Sequence, residues 1–258
     1  MLFLFAAFAG LAVGSFLNVV IGRLRSGEKG WRSRSRCPEC HAVLRPSELV
    51  PLVSFLLLRG HCRSCKKSIS WQYPLVEFST MVLFLAACAL RISAIDFTVP
   101  LSLLPLLRDW VFISFLTIIF VVDLRDMVVF DSVTLPAAAF ALFVNIVLGH
   151  DAVNLLLAAV VGAGFFLLQY VVSRGRWIGG GDIRIGAMMG AMLGFPLVIL
   201  ALFAAYIVGA FVALGLMAAG KAKWTGQMAF GTFLSVATVL AMFFGQHAMN
   251  WYASLLGL

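Results

Sequence analysis

The sequence predicts an all-α polytopic membrane protein of about eight transmembrane helices with a small cytoplasmic zinc-binding insertion. Three observations carry that reading. Of 258 residues, 62% are hydrophobic and only 12% charged, with mean hydropathy +1.04, whereas soluble domains run near half apolar and a quarter charged. Apolar runs recur at the length of about 20 residues that a helix needs to cross hydrocarbon. The one sizeable hydrophilic stretch, between Gly22 and Trp71, holds four of the five cysteines as two C-x-x-C pairs. The net charge of +8 fits a membrane protein with Lys- and Arg-rich cytoplasmic loops. It calls for no nucleic acid, and the expected surroundings are membrane lipid.

Taken in order, the first helix runs over about 2–22. No basic residue precedes it and its first charges follow it, the reverse of a cleavable signal peptide, so it reads as an uncleaved span with its N-terminus outside. Further candidate spans cover 74–91, 99–122, 132–149, 152–172, 185–197, 198–219 and 229–257. The segment 185–197 is too short to cross alone. With the N-terminus outside, all 19 Lys and Arg residues except Arg91 and Arg108 fall on the cytoplasmic side, as the positive-inside rule requires. They include Arg32, Arg34, Arg125, Arg174, Arg176, Arg184, Lys221 and Lys223. The domain plan is therefore a first transmembrane helix over 1–24, a cytoplasmic four-cysteine module over 25–72, and membrane helices over 73–258. Within the module, the apolar patch Leu49–Leu58 is too short to span. It is either the core of a small fold or a segment dipping into the interface.

Two aspartates stand where apolar runs meet cytoplasmic boundaries. Asp123 ends the run Trp110–Val122. Asp182 lies on the glycine-rich turn Gly179-Gly180-Gly181, followed by Ile183 and Arg184. A charged carboxylate deep in a bilayer costs about 2.5–3.5 kcal/mol on insertion scales and so tends to face a functional cavity. Two carboxylates sharing one site cannot both ionise comfortably; the charged one can then activate water while the protonated one donates to a carbonyl. The bland alternative is a pair of helix-boundary residues matched with Arg125 and Arg184. Asp126 and Asp131 are poorer candidates, and Asp131 reads as a helix N-cap.

The pairs Cys37/Cys40 and Cys62/Cys65 are separated by 21 residues, close to the spacing of four-cysteine zinc knuckles, and their basic surroundings favour thiolates. His41 and His61 flank them as substitute ligands, and redox chemistry is the competing reading. Cys88, alone in an apolar run, reads as packing, as do Met188, Met189 and Met192. In the first helix Gly10 and Gly14 make a small-x-x-x-small face. Ser15 and Asn18 share one side, either lining a polar cavity or bonding a neighbouring helix. Glu77 is a helix-dipole partner or a site residue.

Together these stretches resemble the type IV prepilin peptidases, membrane aspartic proteases of the GxGD class. The resemblance rests on Gly14-Ser15-Phe16-Leu17-Asn18-Val19-Val20-Ile21 with Arg23-Leu24, both C-x-x-C pairs, Leu58-Arg59-Gly60, Ile69-Ser70 and Tyr73-Pro74-Leu75-Val76-Glu77. It continues in Asp123, Leu135-Pro136 and Gly179-Gly180-Gly181-Asp182. It implies that Asp123 and Asp182 are the catalytic pair, supported by Gly179, Gly181 and Arg184. It implies a bacterial inner-membrane enzyme that cuts the short basic leader from prepilins or pseudopilins at the cytoplasmic face. It also implies S-adenosylmethionine-dependent N-methylation of the new N-terminus, with the four cysteines holding structural Zn2+ and Gly14, Ser15, Asn18 and Glu77 serving methyl transfer or substrate binding. Three departures stand out: Arg184 replaces the usual Lys, Phe130 stands where Pro is frequent, and the stretch from Arg23 to Cys37 is short. The competing readings are a cation- or proton-coupled transporter and a non-catalytic assembly factor for pili or secretion.

Overall fold

The computed structural model describes residues 1–27, 35–220 and 228–255. Arg32, Arg34, Lys221 and Lys223, used above for orientation, lie outside them. Among the described residues no strand forms beyond two isolated β-bridges. The helices are α1 (Leu2–Ser26), the short α2 (Val53–Leu57), α3 (Gln72–Arg91), α4 (Leu104–Asp126), α5 (Asp131–Val147), α6 (Ala152–Ser173), α7 (Gly180–Leu193), α8 (Leu197–Ala218) and α9 (Phe230–Leu255). Six of these are long and apolar enough to cross a membrane, with α5 and α7 shorter, so the chain is a multi-pass membrane protein. The eight long helices are the eight segments expected from hydropathy.

The chain forms two compact units, Met1–Thr117 and Ile118–Leu258, divided within α4. In the first unit α1 and α3 run antiparallel in close contact, and α1 supplies the glycines that permit it. A Cβ at Gly10 would come 2.6 Å from the Met81 Cα, and one at Gly14 would come 2.7 Å from the Glu77 Cα. Without a hydrophobic drive between helices in lipid, such small-residue contact is what holds them. Trp110 of α4 stacks on Phe84 at 4.8 Å and donates its indole N–H to the Phe84 carbonyl. Buried Asp109 pairs with both Arg91 and Arg108 at 2.8 Å. These are the two cations that broke the positive-inside pattern, and one carboxylate answers both.

In the second unit α7 is enclosed. Ile185, Met188, Met189, Ala191 and Met192 are all buried, the pattern of a helix apolar on every side. Its glycines are the reason it fits: a Cβ at Gly186 would overlap the Gly162 carbonyl of α6, and one at Gly190 would overlap the Ala158 carbonyl. α5 runs alongside, with Asn145 donating to the Ala191 and Met192 carbonyls. α8 and α9 are antiparallel, Gly209 lying against Phe230 and Phe233 and Gly245 against Leu197 and Leu200.

Candidate active site and zinc knuckles

In the second unit, three helix ends converge. Asp123 lies in the last turn of α4 and Asp182 in the first turn of α7, and both side chains are buried. The turn before α7 is what buries Asp182: Gly179 caps the helix, and the Asp182 carboxylate accepts the Gly179 N–H at 3.2 Å. The two acids flank the start of α9: a Cβ at residue 231 would stand 2.9 Å from Asp123 Oδ2 and 2.9 Å from Ile185 Cδ1, one turn beyond Asp182 on α7. Arg184, the neighbour offered as a partner for Asp182, instead binds Asp131, the first residue of α5. Asp123 takes backbone donors from the third helix end. Its Oδ2 accepts the Thr232 N–H at 2.9 Å, and Gly231 lies against the same carboxylate, a Cβ there falling 2.9 Å from that oxygen.

Gly181 is needed for close approach. A Cβ there would fall 2.6 Å from the Val129 side chain, in the link between α4 and α5. That link turns at Met127, φ 52°. The expectation that Asp131 caps α5 is corrected. Phe130 holds the cap position in extended geometry with no side-chain cap, and Asp131 is the first helical residue, turned to Arg184. Phe130 also lines a small apolar cavity with Ile118, Ile119, Val122, Val128, Val129 and Val133.

Gly231, Thr232 and Val129 were missed in the sequence. The available signal was Gly231 in the opening turn of the last apolar run, too common a feature to single out unaided. The start of α9 is itself fixed by an aromatic cluster, Phe230 lying 4.8 Å from Tyr206 and 6.2 Å from Phe166.

The first unit carries the four cysteines as two knuckles of one design. In each, the first cysteine takes the backbone N–H of the fourth residue after it: His41 to Cys37 and Lys66 to Cys62, both 2.9 Å, with φ 57° at His41 and 60° at Lys66. Each first cysteine also donates its own N–H five residues on, to Ala42 and Lys67. A Glu39–Lys67 ion pair ties one knuckle to the other. The four Sγ atoms lie within 4.8 Å of one another, with Cys37 and Cys65 at 4.0 Å. Four thiolates about 2.3 Å from a common ion suit tetrahedral zinc, so the donor set fits. The N–H groups of Cys65 and Ser64 pull the Cys62 thiol down to about 7, which favours the ligating form. His61 is occupied with the Arg59 carbonyl. Among the described residues the cluster is of cysteines alone.

Gly14, Ser15, Asn18 and Glu77 are brought together, but as a knot between helices. Asn18 donates to the Tyr73 carbonyl at 3.0 Å and accepts from Gln72, while Glu77 accepts the Leu52 N–H at 2.8 Å. Glu77 lies beyond the first turn of α3, so it is not the helix-dipole partner. These bonds tie α1 and α3 to the stretch that carries α2. Cys88, Met188, Met189 and Met192 are buried packing, as expected.

Comparison with known proteins follows the same division. Residues 8–91 match the bacterial peptidase A24 N-terminal domain, and residues 110–214 match the type IV leader peptidase family. A prepilin leader peptidase/N-methyltransferase of Bacillus subtilis is 30% identical over 94% of both chains. The chain belongs to the type IV leader peptidase family. Within it, the Myxococcus xanthus protein of the same description is 40% identical over 85% of this chain and 65% of its own length. That of Legionella pneumophila is 32% identical over 97% and 94%. No solved structure matches this member of the family.

Proposed function

We propose that this protein is an aspartic endopeptidase of the bacterial inner membrane that removes the leader of type IV prepilins or secretion pseudopilins at the cytoplasmic face. The observation that carries the reading is the meeting of Asp123 and Asp182, two buried acids from different helices, at helix ends that the distribution of Lys and Arg assigns to the cytoplasm. Paired carboxylates of this kind activate water directly, so no acyl-enzyme forms. Gly179 and Gly181 keep the turn bare of side chains where a substrate backbone must approach, and Arg184 steadies the turn through Asp131. Zinc, held by Cys37, Cys40, Cys62 and Cys65, has no open position and supplies folding rather than chemistry. The module over 25–72 then serves the second activity that the relatives' names carry, N-methylation of the new terminus. The Ser15–Asn18–Glu77 knot supports the module's attachment to the membrane helices.

The test is incubation of the purified, zinc-loaded protein in detergent with a model prepilin, followed by mass spectrometry of the product. The expected result is loss of the leader, and one methyl group gained on the new N-terminus when S-adenosylmethionine is added. An uncut substrate with a well-folded enzyme contradicts the proposal and returns the transporter or assembly-factor reading.

A further inference from the structure

The match to the family model ends at residue 214, before the last helix. We infer that the N-terminus of α9 is a third arm of the active site: the Thr232 backbone N–H, brought close by Gly231, holds Asp123 as the carboxylate, which makes Asp123 the general base and Asp182 the proton donor. The inference rests on the reading of Asp123 and Asp182 as the catalytic pair and deepens it.

The two aspartates are not equivalent. Both lie near a helix N-terminus, where N–H groups have no intrahelical partner and the helix dipole favours negative charge. For Asp182 that helix is its own, and one donor reaches it, Gly179 at 3.2 Å. For Asp123 the helix belongs to another part of the chain, 109 residues on, and brings the Thr232 N–H to 2.9 Å. Hydrogen bonds to the charged form favour that form, and the one at 2.9 Å favours it more than the one at 3.2 Å. When a pair of acids shares a single proton, the proton therefore sits on Asp182.

The approach is possible only because residue 231 is glycine. A Cβ there would stand 2.9 Å from Asp123 Oδ2 and 2.9 Å from Ile185 Cδ1, on the helix that carries Asp182. The arm is also anchored. Phe230 packs on Tyr206 and Phe166, and the Thr232 hydroxyl donates to the Ala229 carbonyl at 2.6 Å, closing the helix start. Gly231 and Thr232 are thus positioning residues acting through their backbone.

The chemistry balances with these roles. The Asp123 carboxylate takes a proton from water as the water oxygen bonds to the scissile carbonyl carbon, and Asp182 gives its proton to the carbonyl oxygen. The gem-diol then returns a hydroxyl proton to Asp182 as the C–N bond breaks, and the leaving amine takes the proton from Asp123. Both acids end as they began, with no other reactant.

The test removes one N–H. Thr232→Pro deletes it, together with the Thr232 hydroxyl, at a position in the first helical turn, where proline is tolerated. A backbone ester at the 231–232 linkage replaces the same N–H by oxygen without added bulk. With the full-length protein in detergent and a model prepilin, both changes are expected to lower kcat at least tenfold while KM stays within about twofold, since an N–H to a charged group contributes at this level. Wild-type kcat in folded, zinc-loaded ester and proline variants, with Asp123→Asn inactive, overturns the role of α9 and leaves the aspartate pair standing. Cleavage by Asp123→Asn removes the pair itself and the inference with it.

Discussion

At the scale of single residues, the site depends on what is missing from side chains. Gly181 faces Val129 with no room for a Cβ, so Gly181→Val must push the α4–α5 link or the α7 start out of place. Overpacking of this kind costs about 1–3 kcal/mol, and a shift near 1 Å at a catalytic group can cost about 100-fold in rate. We expect Gly181→Val to lose most cleavage while remaining folded, checked by steady-state kinetics beside a detergent thermal melt. The Arg184–Asp131 pair is different. Its side chains are 43% and 51% exposed, and exposed pairs contribute about 0–1 kcal/mol. Asp131→Asn should therefore shift the melt by no more than that, and Arg184→Lys, which restores the usual residue of the family, should keep activity. Little of this was legible in advance. The pairing of Asp123 with the start of α9 spans 109 residues, and no local pattern announces a contact at that range.

At the scale of elements, six membrane helices were readable because apolar length is dictated by the bilayer and each of those runs meets that length separately. The four-cysteine cluster was readable for a related reason: a metal needs its ligands at set spacing, and Cys37, Cys40, Cys62 and Cys65, whose Sγ atoms gather within 4.8 Å, show it. The role of α7 was not. Its 14 residues reach about 21 Å at 1.5 Å per residue, short of about 30 Å of hydrocarbon, and a short run looks like a doubtful span. Its neighbours resolve this, since α5, α6 and α9 enclose it and Gly186 and Gly190 let α6 approach. Gly190→Leu should break the α6–α7 contact, lowering the thermal midpoint and activity together, with a loss of about 1–3 kcal/mol. In the module, stripping zinc should unfold the knuckles, because metal binding and folding are one free energy in such small units. The check is the loss of ordered amide signals, or a gain in proteolysis between Arg36 and Lys67, on adding a chelator, with recovery on adding Zn2+.

At the scale of the whole molecule, the account joins a multi-pass helical scaffold to a site built where helices end. Ends are where backbone N–H groups are free to bind carboxylates, and cytoplasmic ends are where a leader peptide lies. The most direct measurement is the cleavage rate of one model prepilin by wild type, Asp123→Asn, Asp182→Asn and the double variant, all zinc-loaded and equally folded. Residues that act as a unit are non-additive. The account predicts that each single change abolishes cleavage, by about 1,000-fold or more, and that the double variant is no worse. Substantial cleavage by either single variant would contradict it.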